Sequence, residues 1–220
     1  MLSALAHTLV PVLARLRVTA DDEAVVAPGS IIAANHTSLV DPGVVLVALR
    51  RLGIEPVILA TAGLWKIPLL GRALAREGHI PVHRGTVRAA DALDASRAVL
   101  AAGRTVLLYP EGGIPRRPDS GEREPGPFRT GLARLALATG APVVPLGQAG
   151  ARRVSSGPRL KQAAGLLTAP VRRPDLHVHL GRPLLLTGDL AQATEQARTA
   201  VRRAWHAAAH RGAVSGEPIA

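Results

Sequence analysis

Short apolar runs alternate with segments of helical periodicity along most of the chain. Unbroken apolar runs are typical of strands buried on both faces. Such runs occur at residues 30–34, 57–61, 105–109 and 142–147, and a further strand is predicted near 78–83. Apolar positions at helical spacing predict helices at residues 43–50, 86–102, 128–139 and 189–208. Because strands alternate with helices, the pattern predicts a single α/β domain with a mixed, mostly parallel sheet flanked by helices.

Two further segments predict strands of a different kind. Residues 23–27 and 30–34 flank Pro28-Gly29, which is a β-hairpin signal. Residues 176–180 alternate apolar side chains with His177 and His179, which predicts a half-exposed strand. The two imidazoles share a face, but two histidines without a third ligand rarely hold a metal ion. No metal site is therefore expected.

The two ends of the chain differ from the middle. Leucine and valine recur at helical spacing in residues 1–18, a segment too short and too interrupted to span a bilayer. It is either an amphipathic segment that contacts a membrane surface or a helix that packs on the domain. The main domain is expected to span residues 19–211, and residues 212–220 are expected to form a disordered tail.

Composition narrows the classes of function. The chain has 220 residues, of which 47% are hydrophobic, enough for one domain with a sizeable core. Disulfides and cysteine nucleophiles are excluded because the chain has no cysteine. A net charge of +11 favours phosphate-bearing partners, whereas 2% aromatic residues are too few for stacking nucleic-acid bases. Residues 151–174 are basic and are expected to be irregular, and they either face phospholipid or are solvated.

The strongest candidate for catalysis is the turn after the first buried run. His36 lies where a strand ends and a helix begins, at the edge where α/β sheets bind ligands. Asp41 follows across the turn, so a carboxylate can reach the imidazole. A carboxylate on one ring nitrogen leaves the other free to accept a proton from a hydroxyl. The alternative is structural, because Asp41 and Pro42 also suit a helix N-terminus and His36 also suits the core.

Three other polar residues occupy comparable places, and His36, Arg84 and Glu111 are expected to open onto one groove at an edge of the sheet. Arg84 leaves a strand beside a glycine, which suits bidentate phosphate binding, although a surface arginine has the same pattern. Glu111 leaves the run at 105–109 and precedes Gly112, where a substrate can approach the backbone. Arg129 lies at a helix start, where backbone N–H groups favour an anion. Residues 114–127 are polar, and they predict a mobile loop that can act as a lid.

Taken in order, these blocks resemble the glycerolipid acyltransferase family of the 1-acylglycerol-3-phosphate acyltransferase type. The first family block is Asn-His, four variable residues and Asp. In this chain the matching residues are Asn35, His36 and Asp41, then Gly78, Val82 and Arg84, then Glu111 and Gly112, then Phe128, Arg129 and Gly131, and finally residues 144–146. Pro81 replaces a usual aromatic residue. The third block departs from the family pattern after Gly112, and Arg116 lies near the place of the family arginine.

The resemblance covers roughly residues 20–185 and implies an acyl transfer. The donor would be acyl-CoA or acyl carrier protein, and no other cofactor is implied. The acceptor would be the free hydroxyl of a lysophospholipid, first of all 1-acylglycerol-3-phosphate, giving phosphatidic acid. His36 would act as the base and Asp41 would orient it. Substrate-binding roles are implied for Asn35, Arg84, Glu111, Gly112 and Arg129.

The altered third block leaves the acceptor open, since another lysolipid or a glycolipid would suit the same chemistry. A lipid hydrolase that uses His36 and Asp41 with water or with Ser38 is a further alternative. The chain contains no Gly-x-Ser-x-Gly nucleophile elbow, so no acyl-enzyme is expected. A lipid acceptor implies a peripheral protein at the cytoplasmic face of a membrane, and nucleic acid is not expected as a partner.

Overall fold

The computed structural model of the protein describes residues 2–85, 89–115, 119 and 121–214. The strands are β1 (Arg15–Ala20), β2 (Ile31–Ala34), β3 (Val57–Thr61), β4 (Ile80–Val82), β5 (Val106–Leu108), β6 (Val143–Ala149) and β7 (Asp175–Leu180). The helices are α1 (Leu2–Leu13), α2 (Asp41–Arg51), α3 (Pro68–Arg76), α4 (Ala89–Ala101), α5 (Gly131–Thr139), α6 (Ala151–Val154), α7 (Arg159–Arg172) and α8 (Leu190–Val214). A 3₁₀ turn, Ala62–Lys66, precedes α3.

The described residues form one seven-stranded sheet in the order β1-β7-β6-β2-β5-β3-β4. Every neighbouring pair is parallel except β6 and β7, which are antiparallel. The prediction of a single α/β domain with a mixed, mostly parallel sheet is confirmed. Because β2 lies between β6 and β5, the residues that follow β2 emerge at the middle of the carboxyl edge, where α/β proteins bind ligands.

Helices on both faces of the sheet explain the unbroken apolar runs. Ile32 and Ala34 of β2 pack with α2 on one face, and Ile31 and Ala33 pack with α5 and α8 on the other. All four side chains are fully buried. Successive side chains of a strand point to opposite faces, so a strand covered on both faces needs apolar residues throughout.

Two of the strand predictions are wrong. Residues 23–27 form no strand, and β2 pairs in parallel with β5 and β6 instead of forming a hairpin. The strand β7 is buried on both faces rather than half-exposed, since His177 and His179 are 4% and 3% exposed. The apolar face of β7 packs in the α2 cluster, and α8 lies against the same strand. Apolar and polar residues therefore alternate here in a strand that has no solvent-exposed face.

The boundary expected after residue 18 is also wrong, because it cuts through β1. Residues 15–20 pair in parallel with β7, so they belong to the sheet. The helix α1 ends at Leu13 and packs against α2 and α7, with Val10 and Ala14 buried in the core. Leu9 and Val12 of the same helix remain about half exposed. The N-terminal segment is therefore part of the domain.

The C-terminal boundary shifts as well. The helix α8 continues to Val214, beyond the boundary expected at residue 211, and residues 215–220 of the expected tail lie outside the described residues. Thr86, the first residue of the helix expected at residues 86–102, also lies outside them. None of the helices in the described ranges has the length and apolar character needed to cross a bilayer.

Candidate active site

The turn after β2 brings an imidazole and a carboxylate into direct contact. Nδ1 of His36 lies 2.9 Å from Oδ2 of Asp41, which confirms the predicted contact. The Asp41 side chain is fully buried, whereas the His36 side chain keeps 14% of its surface exposed. Because a carboxylate accepts hydrogen bonds, this contact favours the tautomer with a proton on Nδ1 and leaves Nε2 as a proton acceptor.

The same carboxylate fixes the backbone of the turn. The N–H groups of Thr37 and Ser38 donate to Oδ2 of Asp41 at 2.5 and 2.8 Å. Val40, rather than Asp41, occupies the N-cap position of α2. Asp41 therefore reaches back from the first turn of the helix and holds both the imidazole and the chain that carries it.

The ring of Tyr109 supports the imidazole from the neighbouring strand. Tyr109 follows β5, and its ring centroid lies 4.4 Å from that of His36, with the two planes at 29°. Burial and the charge of Asp41 raise the pKa of the Tyr109 phenol, so the ring stays neutral beside the histidine. Sequence analysis missed this contact, because Tyr109 is the last residue of an apolar run and its partner lies on another strand.

Glu111 ties the His36 turn to the polar loop of residues 114–127. Its Oε1 accepts the N–H of His36 at 2.7 Å, and its Oε2 accepts the N–H of Gly126 at 2.9 Å. Burial raises the pKa of Glu111, and these two N–H groups offset part of the increase. Glu111 therefore lies beside His36 as predicted, and it positions the candidate catalytic turn, residues 35–41. Its predicted contact with substrate stays a prediction.

Two guanidinium groups converge on the turn at Gly112. Arg84 donates a hydrogen bond to the Gly112 carbonyl. Arg129 packs against the same glycine, since a Cβ added to Gly112 would lie 2.4 Å from Nε of Arg129. The φ angle of Gly112 is 75°, in the left-handed region, so the turn favours glycine for two separate reasons.

The proximity of the two arginines has an electrostatic consequence. Burial and the nearby charge of Arg129 lower the pKa of Arg84, because two positive charges disfavour each other. An anion bound beside both guanidinium groups would relieve that repulsion and accept charge-assisted hydrogen bonds. Arg84 contacts Gly112, and Glu111 contacts His36. The prediction that His36, Arg84 and Glu111 share one edge of the sheet is therefore confirmed.

The side chain of Asn35 pairs with the neighbouring strand, and its predicted substrate-binding role stays a prediction. Asn35 is fully buried. Its Nδ2 donates to the Gln148 carbonyl at 3.1 Å, and its Oδ1 accepts the Gln148 N–H at 2.8 Å. The side-chain amide thus extends the β2–β6 pairing by one further pair of hydrogen bonds. Asn35 holds the start of the catalytic turn.

Arg152 of α6 is a site residue that sequence analysis missed. It is 3% exposed, and its guanidinium donates to the carbonyl groups of Thr37, at 3.2 Å, and of Asp119. Glu122 accepts the N–H of Gly150 at 2.9 Å. The described part of loop 114–127 is therefore anchored to the protein near the catalytic turn. Arg116, which lies near the position of the family arginine, is outside the described residues.

A cavity of about 540 Å³ adjoins the catalytic turn. Thr37, Ser38 and Leu39 line one part of it, and Arg159 and Gln162 in the first turn of α7 line another. Leu39 is 67% exposed at this place. The cavity therefore connects the residues next to His36 with the start of α7.

No group of three or more His, Cys, Asp or Glu side chains within the described residues is arranged to hold a metal ion. His179, considered above as a weak candidate ligand, uses both ring nitrogens in other contacts. Its Nδ1 lies 2.9 Å from Oγ1 of Thr19, and its Nε2 lies 3.1 Å from Oδ1 of Asp21. These contacts give His179 a structural role between β7 and the end of β1.

The part of the chain that carries the candidate site matches a known protein family. Residues 15–148, more than half of the chain, match the family model described as Acyltransferase. A chloroplastic 1-acyl-sn-glycerol-3-phosphate acyltransferase of Brassica napus is 32% identical over 113 residues, which are 51% of this chain and 30% of that protein. A 1-acyl-sn-glycerol-3-phosphate acyltransferase of Borreliella burgdorferi is 32% identical over 117 residues, which are 53% of this chain and 44% of that protein. The chain matches less than half the length of either relative.

A solved structure shares the fold. The crystal structure of the 1-acyl-sn-glycerophosphate acyltransferase from Thermotoga maritima matches with a TM-score of 0.69 at 17% sequence identity. The match covers 99% of this chain and 81% of that one. At such low identity the likeness concerns the fold alone, and it agrees with the single α/β domain described above.

Proposed function

Because the chain belongs to the acyltransferase family, as the match over residues 15–148 shows, we propose that it is an O-acyltransferase acting on a lysophospholipid. The donor is acyl-CoA or acyl carrier protein. The acceptor is 1-acylglycerol-3-phosphate, and the product is phosphatidic acid. The observation that carries this proposal is the His36–Asp41 contact of 2.9 Å, on the same edge as the arginine pair at Gly112.

His36 acts as the general base of the reaction. With Nδ1 held by Asp41, Nε2 takes the proton of the acceptor hydroxyl while the hydroxyl oxygen attacks the thioester carbonyl. The tetrahedral intermediate collapses by cleavage of its C–S bond. The imidazolium returns the proton to the departing thiolate, so a free thiol and an ester are formed. Asp41 stabilises the transient imidazolium without being protonated itself.

Arg84 and Arg129 bind the phosphate of the acceptor. Both guanidinium groups lie at Gly112. Burial and the charge of Arg129 lower the pKa of Arg84, and an anion bound beside the two groups would offset the repulsion between them. Arginine suits this task, because its planar fork can bind a phosphate bidentately. Glu111 acts mainly through the His36 turn, whose N–H it accepts at 2.7 Å. Gly112 provides the turn on which the two arginines meet.

The protein works at the cytoplasmic face of a membrane as a peripheral protein. Its acceptor is a lipid, and its net charge of +11 favours anionic headgroups. Direct transfer without an acyl-enzyme is supported by the absence of cysteine from the chain. It is also supported by Ser38, which is 2% exposed and whose Oγ donates to the Ser155 carbonyl at 2.6 Å. This geometry disfavours Ser38 as the nucleophile of a hydrolase.

The test is a lipid-product assay of the purified protein with acyl-CoA, or with acyl carrier protein, and a panel of lyso-acceptors. We expect acylation of 1-acylglycerol-3-phosphate in preference to acceptors with neutral headgroups, because only the former presents a phosphate monoester to Arg84 and Arg129. Acylation of a neutral glycolipid alone would overturn the choice of acceptor. Release of fatty acid from lysophosphatidate without any donor would support the hydrolase alternative.

A further inference from the structure

Helix α7 turns a row of large apolar side chains toward solvent. Leu160, Leu167 and Val171 are 84%, 80% and 89% exposed. They are separated by seven and four residues, close to two turns and one turn of helix, so they lie on the same side. We call these three residues the α7 face. Scattered exposed leucines are ordinary, but an aligned apolar row on one helix marks an interaction surface.

The opposite side of α7 holds the helix to the domain with small residues. Ala169 is fully buried, and a Cβ added to Gly165 would lie 2.5 Å from the Val154 carbonyl oxygen. Arg172 donates to the carbonyl groups of Arg153 and Gly165 at 2.9 and 2.8 Å. Close packing on this side fixes the rotation of the helix. The packing of the inner side of the helix therefore holds the α7 face toward solvent.

The surroundings of the α7 face are basic. Helix α7 contains no acidic residue, and Arg159 and Lys161 flank its apolar row. Arg173 follows the helix, and its guanidinium donates to the Pro11 carbonyl of α1 at 3.2 Å. An apolar row with basic flanks is the pattern of helices that lie in the headgroup region of anionic membranes. Most soluble protein partners would not supply negative charge and a fluid apolar layer together.

We propose that the α7 face inserts into the surface of an anionic phospholipid bilayer. The leucine and valine side chains enter the region between the headgroups and the acyl chains, and the flanking basic groups contact lipid phosphates. This assigns membrane contact to residues 159–172, within the segment 151–174 that sequence analysis expected to be irregular and either to face phospholipid or to be solvated. The identity of the partner as a lipid rests in part on the proposed function.

The position of α7 relative to the catalytic turn supports this occupant. The first turn of α7 lines the same cavity as Thr37, Ser38 and Leu39. A bilayer in contact with α7 would therefore lie next to an opening that reaches Thr37, the residue after His36. A lipid acceptor could then reach the catalytic turn without leaving the membrane surface for bulk water. A second copy of the chain seated on the same face would instead cover the approach.

The test is co-sedimentation of the whole protein with phospholipid vesicles. The variant Leu167→Gln/Val171→Gln is compared with the wild type and with the control Leu185→Gln. Leu185 is also exposed, but it follows Leu184, which pairs with the first residue of β6 at the edge opposite the catalytic turn. All three changed residues are exposed, so thermal melting should confirm that each variant is folded.

With mixed phosphatidylcholine–phosphatidylglycerol vesicles, we expect the double variant to bind about tenfold or more weakly than the wild type, since it loses two inserting aliphatic side chains. The control should bind like the wild type. Binding of the wild type should fall with added salt and on vesicles of phosphatidylcholine alone. Unchanged binding of the double variant would overturn the proposal.

Sedimentation velocity without lipid separates a protein partner from a membrane. If the wild type is a dimer that Leu167→Gln/Val171→Gln converts to a monomer, the α7 face is a subunit interface and the proposal is wrong. Vesicle binding needs no turnover, so its outcome is independent of the proposed enzyme activity. If the protein binds vesicles through the α7 face but acylates no lysolipid, the proposal for the α7 face stands and the proposed function is refuted.

Discussion

The variant Asp41→Asn removes the charge that faces the imidazole while keeping an oxygen in its place. Oδ2 of Asp41 is within hydrogen-bond distance of Nδ1 of His36 and accepts the N–H groups of Thr37 and Ser38. An asparagine NH₂ group in that position would face two N–H donors, each then unsatisfied at about 1–3 kcal/mol. The asparagine oxygen is therefore expected to replace Oδ2, and the imidazole keeps its orientation.

What Asp41→Asn then removes is the stabilisation of the His36 imidazolium by the charge of the carboxylate. Two unit charges about 4 Å apart in an effective dielectric constant of about 20 attract each other by about 4 kcal/mol, which limits the effect to roughly 10³-fold. In the serine-protease triad the corresponding asparagine holds the wrong tautomer and costs about 10⁴-fold. Because the backbone donors of this turn disfavour that tautomer, we expect kcat to fall by about 10²- to 10³-fold.

The assay follows thiol release from the donor at saturating acceptor, with thermal melting of the same preparations. The variant Asp41→Ala serves as the comparison, because it leaves the ring and both backbone donors without their acceptor. Asp41→Ala should therefore lower the melting temperature more than Asp41→Asn does. An Asp41→Asn protein with a normal kcat and a lower melting temperature would refute the reasoning, since Asp41 would then only hold the turn.

Three further predictions concern other parts of the site. Arg84→Ala should raise KM for a phosphate-bearing acceptor more than it lowers kcat, because a charge-assisted bond to phosphate forms in the ground and transition states alike; initial-rate kinetics with an unchanged KM would contradict the phosphate site. Gly112→Ala should lower the melting temperature, since a left-handed φ costs a non-glycine residue about 1–2 kcal/mol and the new Cβ meets Arg129; equal melting temperatures would contradict this account of the turn. Glu122→Gln should raise the melting temperature at neutral pH, because burial raises the pKa of Glu122 and its Oε2 has no hydrogen-bond partner among the described residues. The native protein then binds the Glu122 proton more tightly than the unfolded chain, so the wild type should lose stability relative to the variant as pH rises above the ordinary pKa of 4.5; a difference that is the same at every pH would argue against this cause.

The strands that carry the site were predictable because helices cover both faces of the sheet. The buried runs that end at Ala34 and Tyr109 have no polar interruption, so their exit residues His36 and Glu111 could be located from the sequence. The strand β1 was missed for a physical reason. Arg15 and Arg17 alternate with Leu16 and Val18 at the period of a strand, but the leucines also continue the helical spacing of α1. The two patterns can be distinguished only by the pairing of β1 with β7, which lies far along the chain.

Asn35 and Arg152 show which parts of a site a local pattern does not contain. The hydrogen bonds of Asn35 depend on the register between β2 and β6, whose residues are 113 positions apart. Arg152 is buried because the Thr37 carbonyl and the polar loop accept its guanidinium N–H groups, whereas Arg153 next to it is exposed. A run of basic residues looks the same in the sequence whether a given arginine is buried or exposed. Tertiary contacts alone therefore decide which arginine supports the catalytic turn.

The most direct test of the central claim is the stoichiometry of acyl transfer by the wild type and by His36→Ala. Phosphatidic acid formed from 1-acylglycerol-3-phosphate and acyl-CoA is quantified by mass spectrometry, together with the CoA thiol released. We predict equal amounts of the two products from the wild type, and loss of both products in a folded His36→Ala protein. Equal activity of the two proteins, or thiol release by the wild type without phosphatidic acid, would contradict the account.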